Sequence, residues 1–213
     1  MDDIFDLAPA DERAVFMRDV LDGLSRVQKT LPCQYFYDEA GSQLFEQITE
    51  LPEYYPTRTE TAILTANAAE IAQALGPNAL LVEYGAGAST KTRILLEALA
   101  SPAGYVPIDV SETFLLNTAD RLRGDYPWLA VHPVVGDFMI RLGLPRGSDG
   151  RPVGFFPGST IGNLSDAEIV QFMSAARDLL GAAAKFVIGV DLRKSAEILV
   201  PAYDDAAGVT ARF

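Results

Sequence analysis

The chain has 213 residues, enough for one domain of ordinary size, and its 49% hydrophobic and 22% charged residues predict a packed core rather than disorder. Its 29 acidic residues outnumber its 17 basic residues, which gives a formal net charge of −12. Because that charge repels phosphate backbones and anionic lipid, we expect no nucleic-acid or membrane partner. A cationic or zwitterionic small molecule fits the charge better.

Cysteine and histidine occur once each, as Cys33 and His132. No disulfide can form within the chain, and we expect a reduced, inert thiol in a cytoplasmic protein. Neither a zinc site of His and Cys nor a Ser-His-Asp or Cys-His triad is supported, so we predict no metal and interpret His132 as structural. The acidic N-terminus, MDDIFDLAPADE, lacks the apolar region of a signal peptide, and no apolar run approaches ~18 residues.

The first part of the chain predicts helices. Apolar residues recur at helical spacing over residues 11–25, a short helix follows from Ser42, and a third begins near Thr57 and ends at Gly76. Thr57, with Glu60 three residues later, is interpreted as the capping box of this third helix. The loop between the first two helices, TLPCQYFYDEAG, is unusually aromatic.

After Gly76, strands alternate with helices, which predicts βαβ units and an α/β fold with a parallel sheet. Residues 146–152 form a turn cluster and are the expected surface loop. The predicted strands are Ala79–Tyr84, Gly104–Asp109, Ala130–Val135, Val153–Phe156 and Lys185–Asp191. The predicted helices are Lys91–Leu99, Ser111–Arg123 and Asp166–Leu180, the last with a capping box of Ser165 and Glu168.

A glycine-rich turn follows the first predicted strand in LLVEYGAGAST, residues 80–90, and a helix begins at once. A buried parallel strand that ends in Gly85-x-Gly87 brings backbone N–H groups and a helix N-terminus to one point, which suits a nucleotide-like ligand. Chains that bind NAD usually carry a third glycine three residues later, where this chain has Thr90.

Acids at the ends of the next two predicted strands narrow the choice of nucleotide. Asp109 lies roughly 20 residues after the glycine-rich turn, where a carboxylate can accept both ribose hydroxyls. Asp137 can accept from an adenine amino group, and Phe138 beside it can stack on the base. Capping of the following turns is the alternative for either acid alone, but three strand ends in register favour a cofactor site. Together they resemble the class I S-adenosylmethionine-dependent methyltransferases, whose Rossmann-like parallel sheet is flanked by helices.

The fourth predicted strand ends in VGFFPGSTIGNLS, residues 153–165, and lacks the Asp/Asn-Pro-Pro-Tyr signature of many amine methyltransferases. It places Gly158, Thr160 and Asn163 at a strand end, beside the expected methyl group. Small residues allow a substrate to approach the backbone closely, and the Asn163 amide offers both a donor and an acceptor.

At this point the chain resembles the histidine-specific Nα-methyltransferases of ergothioneine biosynthesis, from about Phe36 to Thr210. The resemblance implies that S-adenosylmethionine is the cofactor and S-adenosylhomocysteine its product. It also implies that the α-amino group of L-histidine is trimethylated to hercynine, the first step of ergothioneine biosynthesis. Because in-line displacement needs little besides a neutral, aligned amine, positioning would supply most of the catalysis. The matching segments are FYDEAGSQLFEQIT, LPEYYPTRTE, VEYGAGASTKTR, FFPGSTIGN and YDDAAGVT.

The resemblance also implies a role for individual residues. Tyr54 faces the imidazole, Asn163 and Tyr203 hold the substrate carboxylate, and Tyr37 lines the pocket near the amine. Packing between lobes is the alternative interpretation of the tyrosines. The residues expected beside the amino group and the methyl, and so counted with Tyr37 as catalytic, are Gly158 and Thr160. The expected cofactor contacts are Gly85, Gly87, Lys91, Asp109, Asp137 and Phe138.

The same resemblance divides the chain. Residues 1–56 and 195–213 are expected to form parts of a helical substrate lobe, the second part incomplete, and residues 57–194 the S-adenosylmethionine-binding core. Family members are expected to continue past Phe213, with the last strands of the sheet and with an acid and a hydroxyl that hold the imidazole. The chain by itself is therefore expected to bind the cofactor but to methylate histidine poorly or not at all.

The sequence is compatible with three other functions. The chain could methylate another amine, as an ovothiol-type methyltransferase domain or a fungal tryptophan-derivative N-methyltransferase does. An NAD(P)-dependent oxidoreductase is disfavoured by Thr90 and by the Gly-Asp-Phe strand end. A non-catalytic, cofactor-binding remnant that pairs with another chain is the third.

Overall fold

A five-stranded parallel sheet forms the centre of the protein, as seen in a computed structural model that describes residues 12–140 and 142–213. Its strand order is β3-β2-β1-β4-β5, and all four pairings are parallel. The predictions made for residues 1–11 lie outside the described residues. The strands are β1 (Ala79–Tyr84), β2 (Gly104–Asp109), β3 (Val134–Val135), β4 (Arg151–Phe156) and β5 (Lys185–Ile188).

Helices cover both faces of this sheet, which confirms the predicted α/β class. They are α1 (Glu12–Ser25), α2 (Glu39–Thr49), α3 (Tyr55–Leu75), α4 (Thr90–Ala98), α5 (Glu112–Asp125), α6 (Asp166–Leu180) and α7 (Ala196–Tyr203). Short 3-10 helices lie at Cys33–Phe36 and Thr160–Asn163. Among the described residues, none of these helices is long and apolar enough to cross a membrane.

The central strand β1 is buried along its whole length because both of its faces are covered. Side chains alternate between the two faces of a strand, so neighbouring residues enter different cores. Leu81 packs in the core that contains residues of α3, α4 and α5, whereas Leu80 and Val82 pack in the core that contains Phe172 of α6. This two-sided burial explains why the residues of β1 are apolar from Ala79 to Val82.

A third apolar cluster joins the α2 region to the end of the chain. Its buried members are Ile48, Tyr54 and Val209, and Phe45 and Phe213 pack against them. These contacts agree with a lobe that combines residues 1–56 with residues 195–213, although the division into domains stays a prediction.

The start of α3 differs from the sequence prediction. The helix begins at Tyr55, so Thr57 lies inside its first turn and the predicted Thr57–Glu60 capping box is wrong. Pro56 is tolerated in the first turn because its missing N–H would have no partner within the helix. Glu60 therefore does not cap this helix, and its carboxylate bonds elsewhere. The predicted stop at Gly76 is confirmed, as is the capping box of Ser165 and Glu168.

The bounds of the second helix and of three strands also differ from those predicted from the sequence. The second helix begins at Glu39 rather than at Ser42, because the Asp38 side chain caps it by accepting the Gly41 N–H at 2.7 Å. The third strand is shorter than predicted because Pro133 cannot donate to a ladder. The fifth strand ends at Ile188, before the predicted Asp191, and the fourth begins at Arg151, inside the predicted surface loop.

Gly154 of β4 gives a test of this packing. A Cβ added there would overlap the Phe186 ring of β5 and lie 2.9 Å from Leu180 Cδ1. Gly154→Ala should therefore lower the free energy of unfolding, measured by urea denaturation, by about 1–3 kcal/mol. Gly124→Ala is the control, because Gly124 is exposed on α5 and an added Cβ would meet nothing within 4 Å. Equal stability of Gly154→Ala and the unchanged chain would contradict the described packing.

Candidate functional site

The glycine-rich turn after β1 lies against the end of β2. The N–H groups of Gly85 and Ala86 donate to the Ile108 carbonyl at 2.9 and 3.1 Å, and the Gly87 N–H donates to Asp109 Oδ2 at 3.0 Å. Gly85 and Gly87 have φ of 70° and 49°, in the left-handed region that favours glycine. A Cβ added at Gly87 would meet no atom within 4 Å, so this side of the turn has room for a ligand.

Asp109 and Asp137 lie at neighbouring strand ends, joined by the Gly136 N–H, which donates to the Asp109 carbonyl at 2.9 Å. Each carboxylate also accepts a nearby backbone N–H, from Ser111 at 3.0 Å and from Met139 at 2.7 Å. Both acids thus cap their following turns, yet an ionised carboxylate has about four lone-pair sites and can accept further bonds. Burial raises the pKa of both carboxyls above the ordinary range.

Phe138 connects this edge to the core. Its half-buried ring packs edge-to-face against Phe156 and Phe172, with centroid distances of 5.3 and 5.5 Å. A Cβ added at Gly85 would lie 3.9 Å from Phe138 Cε1, so the ring borders the glycine-rich turn. The predicted adenine-stacking residue is therefore close to the predicted cofactor turn.

Glu83 was not predicted as a site residue from the sequence. Its carboxylate nevertheless binds side chains that lie next to the glycine-rich turn. Glu83 is 2% exposed, and its Oε2 accepts the hydroxyl groups of Thr92 and Tyr105. The Tyr105 hydroxyl also lies 2.9 Å from Ser89 Oγ, and Ser89 has a φ of 53° at the start of α4. The signal was available, because an acid inside an apolar buried strand requires hydrogen-bond partners.

The turn after β4 carries two consecutive left-handed residues. Gly158 has a φ of 83° and Ser159 a φ of 56°. The Thr160 hydroxyl donates to the Pro157 carbonyl at 3.2 Å, and Ser159 Oγ accepts the Asp191 N–H at 2.9 Å. These bonds fix the segment that was expected to lie beside the substrate amine.

Lys91, an expected cofactor contact, forms an ion pair with Glu60. The same carboxylate accepts the Gly158 N–H, and a Cβ added at Gly158 would lie 3.6 Å from Lys91 Nζ. Lys91 and Gly158 are thus brought together by Glu60, which sequence reasoning had assigned to a helix cap.

Of the expected substrate tyrosines, Tyr54 belongs to the third apolar cluster, and Tyr37 and Tyr203 contact the rings of its members. Tyr54 is 7% exposed and lies edge-to-face with Tyr203 at 5.9 Å, whereas Tyr203 is 55% exposed. Tyr37 lies edge-to-face with Phe45 at 5.5 Å and with Phe213 at 5.2 Å. Aromatic packing is therefore established for these side chains, and contact with a substrate stays a prediction.

Burial raises the pKa of Tyr37 and Tyr54 well above the ordinary tyrosine value. Nearby acidic groups, Asp109 among them, raise the pKa of Tyr37 further. Both phenols are protonated at neutral pH, so each can offer a hydrogen-bond donor to a ligand but not a base. Asn163 lies exposed at the end of the 3-10 helix after β4.

The part of the chain that the structure describes contains no cluster of side chains suited to bind a metal ion. Among residues 12–140 and 142–213, no group of three or more His, Cys, Asp and Glu side chains could hold a metal ion. The His132 N–H donates to the Tyr105 carbonyl at 2.9 Å, a backbone contact that agrees with a structural role. Cys33 is a half-buried free thiol whose pKa is raised by burial.

Comparison with known proteins gives a family match over most of the chain. The family described as "Histidine-specific methyltransferase, SAM-dependent" matches residues 16–213. The histidine N-alpha-methyltransferase of Mycobacterium tuberculosis is 46% identical over 92% of this chain and 61% of its own length. That of Mycolicibacterium smegmatis is 44% identical over 97% and 65%. Ergothioneine biosynthesis protein 1 of Neurospora crassa is 34% identical over 87% and 22%.

Solved structures agree with the fold. Magnesium protoporphyrin IX methyltransferase from Synechocystis PCC 6803, with bound S-adenosylmethionine, aligns with a TM-score of 0.51 at 13% identity. The alignment covers 82% of this chain and 74% of that chain. The likeness shows a class I methyltransferase fold. The chain itself spans less than two thirds of the length of both mycobacterial relatives.

Glu83 gives a test of the buried network. Burial raises the pKa of this carboxyl from its ordinary 4.5 to about 8, although the Thr92 and Tyr105 hydroxyls oppose the shift. Between these pH values the folded chain holds a proton that the unfolded chain has lost. The free energy of unfolding should therefore fall as pH rises through this window, by at most about 1.4 kcal/mol per pH unit.

Glu83→Gln cannot titrate and should flatten this dependence in urea denaturation at several pH values. Glu70→Gln, on the exposed side of α3, is the control and should keep the slope of the unchanged chain. A Glu83→Gln chain with an unchanged slope would show that another group titrates there.

Proposed function

We propose the function of this chain from one premise: it belongs to the family of histidine-specific, S-adenosylmethionine-dependent methyltransferases. The proposal is that the chain binds S-adenosylmethionine and methylates the α-amino group of L-histidine up to three times, with slow turnover when this chain acts by itself. The product would be hercynine, in the first step of ergothioneine biosynthesis. The observation that carries the proposal is one sheet edge where a glycine-rich turn and two acids, Asp109 and Asp137, meet on neighbouring strands.

This edge fits the cofactor in chemistry and in space. Asp109 would accept the ribose hydroxyls and Asp137 the adenine amino group, with Phe138 against the base. Gly85 and Gly87 leave room that a side chain would reduce, since a Cβ added at Gly87 would meet no atom within 4 Å and one at Gly85 only Phe138 Cε1 at 3.9 Å. The acids also favour a cationic ligand such as a sulfonium. When bound, S-adenosylmethionine would supply an electrophilic methyl group.

Besides binding the cofactor, the site would have to hold the substrate amine in line with the methyl group. Before each transfer the substrate ammonium loses one proton to solvent, and the neutral amine then forms one N–C bond while one S–C bond breaks and S-adenosylhomocysteine leaves. Tyr37 and Tyr54 would donate hydrogen bonds to the substrate, and Asn163 and Tyr203 would hold its carboxylate. Gly158 and Thr160 would leave room for the amino group. Because the amine attacks as a neutral group, holding it in line accounts for most of the rate enhancement.

The family match favours this reading over an NAD(P)-dependent oxidoreductase. A cytoplasmic location, and the absence of nucleic-acid and membrane partners, stay predictions from the charge and the single cysteine. Histidine as the amine is supported by the two mycobacterial relatives, which are histidine N-alpha-methyltransferases.

Cofactor binding is tested by titrating the chain with S-adenosylhomocysteine in a calorimeter. Asp109→Asn should weaken binding by about 10- to 100-fold, because charge-assisted hydrogen bonds to the ribose are lost. Asp120→Asn is the control, since the Asp120 side chain is 74% exposed on α5. Wild-type affinity in Asp109→Asn, or binding of NADH instead, would contradict the cofactor assignment.

The substrate is tested by incubating the chain with S-adenosylmethionine and mixed amino acids, followed by mass spectrometry. Enzyme is used at substrate concentration, so that slow turnover is detected. Histidine alone should gain one, two and three methyl groups, and Asn163→Ala should reduce this by about tenfold or more. Asn117→Ala, exposed on α5, should leave it unchanged. Methylation of another amine, or of none, would contradict the histidine reaction.

A further inference from the structure

A carboxylate from α3 lies where three elements of the candidate site meet. Both oxygens of Glu60 accept the Gly158 N–H, at 3.0 and 2.8 Å, and Oε2 pairs with the Lys91 ammonium of α4. The Glu60 and Lys91 side chains are only 17% and 16% exposed. An ion pair this sheltered is screened by solvent much less than a surface pair.

The segment after β5 closes around the same carboxylate. A Cβ added at Gly189 would overlap Glu60 Oε1 and lie 3.3 Å from the Gly158 nitrogen. The Gly189 N–H donates to the Phe156 carbonyl at 2.9 Å, so its backbone is held in place. Glycine at this position therefore leaves the space that the Glu60 carboxylate occupies.

Glu60 adds a further anchor to the turn after β4, beside the bonds of Ser159 and Thr160. Gly158 and Ser159 both have positive φ, and this conformation is unfavourable for a residue with a Cβ such as Ser159. The Lys91 side chain also requires a partner to be ordered, because it is long, has many rotamers and loses entropy when it is fixed. Glu60 binds the N–H of the turn and the ammonium of Lys91 at once.

We infer that Glu60 is a positioning residue, which holds the Lys91 ammonium and the Gly158 N–H in a fixed arrangement. This inference rests on the proposed function, together with the expected roles of Lys91 as a cofactor contact and of Gly158 beside the reacting amine. Through one side chain, α3 thereby aligns the donor side of the site with the acceptor side.

The inference is tested by calorimetric titration with S-adenosylhomocysteine. Glu60→Gln keeps an oxygen for the Gly158 N–H but removes the charge that holds Lys91, and should weaken binding roughly tenfold. Glu70→Gln lies on the exposed side of the same helix and should bind as the unchanged chain does. Melting temperatures are measured in parallel. Weaker binding by a chain that is fully folded at the assay temperature separates positioning from a purely structural role.

Two further variants show whether Glu60 acts through the contacts described. In a Lys91→Met background, Glu60→Gln should cost no more than about twofold, because the partner is already gone. Gly189→Ala should displace the carboxylate and reproduce the loss without changing Glu60 or Lys91. In a Glu60→Ala background, Gly189→Ala should cost less than in the unchanged chain, since the overlap with the carboxylate is relieved and only the 3.3 Å approach to the Gly158 nitrogen remains.

The possible failures are distinguishable. If the unchanged chain does not bind S-adenosylhomocysteine, the proposed function is wrong and this inference falls with it. If the unchanged chain binds but Glu60→Gln and Gly189→Ala bind within about twofold of it or more tightly, only the role of Glu60 is overturned.

Discussion

Parallel pairing of β1 with β2 on one side and β4 on the other is the constraint on which the rest of the structure depends. Because these strands run in one direction, their carboxyl ends meet at one edge of the sheet. Residues far apart in sequence, such as Gly87, Asp109 and Gly158, are thereby gathered without any local signal that links them. The hydrogen bond from the Gly87 N–H to Asp109 then joins two of these strand ends directly.

Two acids outside the expected ligand contacts hold this edge together. Glu83 lies beneath the glycine-rich turn with two hydroxyl donors, and Glu60 lies between the turn after β4 and the first turn of α4. Buried acids are unfavourable unless they are bonded, so each fixes the groups around it. The architecture thus separates residues available to a ligand, Asp109 and Asp137, from residues that maintain the shape around them.

Sequence patterns predicted those features of the fold that depend on residues close together in the chain. The bounds of β1, β2 and α6 agree with the prediction, because buried apolar runs and the Ser165–Glu168 capping box are readable within a few residues. The adjacency of Asp109 and Asp137 followed from the rule for parallel strands. Glu60 was misassigned because its partners, Lys91 and Gly158, lie 31 and 98 residues away in sequence. Only the tertiary fold brings them within reach, and a local capping pattern cannot compete with such contacts.

We propose that the carboxyl edge of this sheet holds an adenosyl cofactor between the glycine-rich turn and the two acids. A crystal structure of the chain grown with S-adenosylhomocysteine would test this proposal. We expect electron density for the ribose within hydrogen-bond distance of the Asp109 carboxylate, and for adenine beside Asp137 and Phe138. Density for the ligand anywhere else, with this edge filled by side chains, would contradict it.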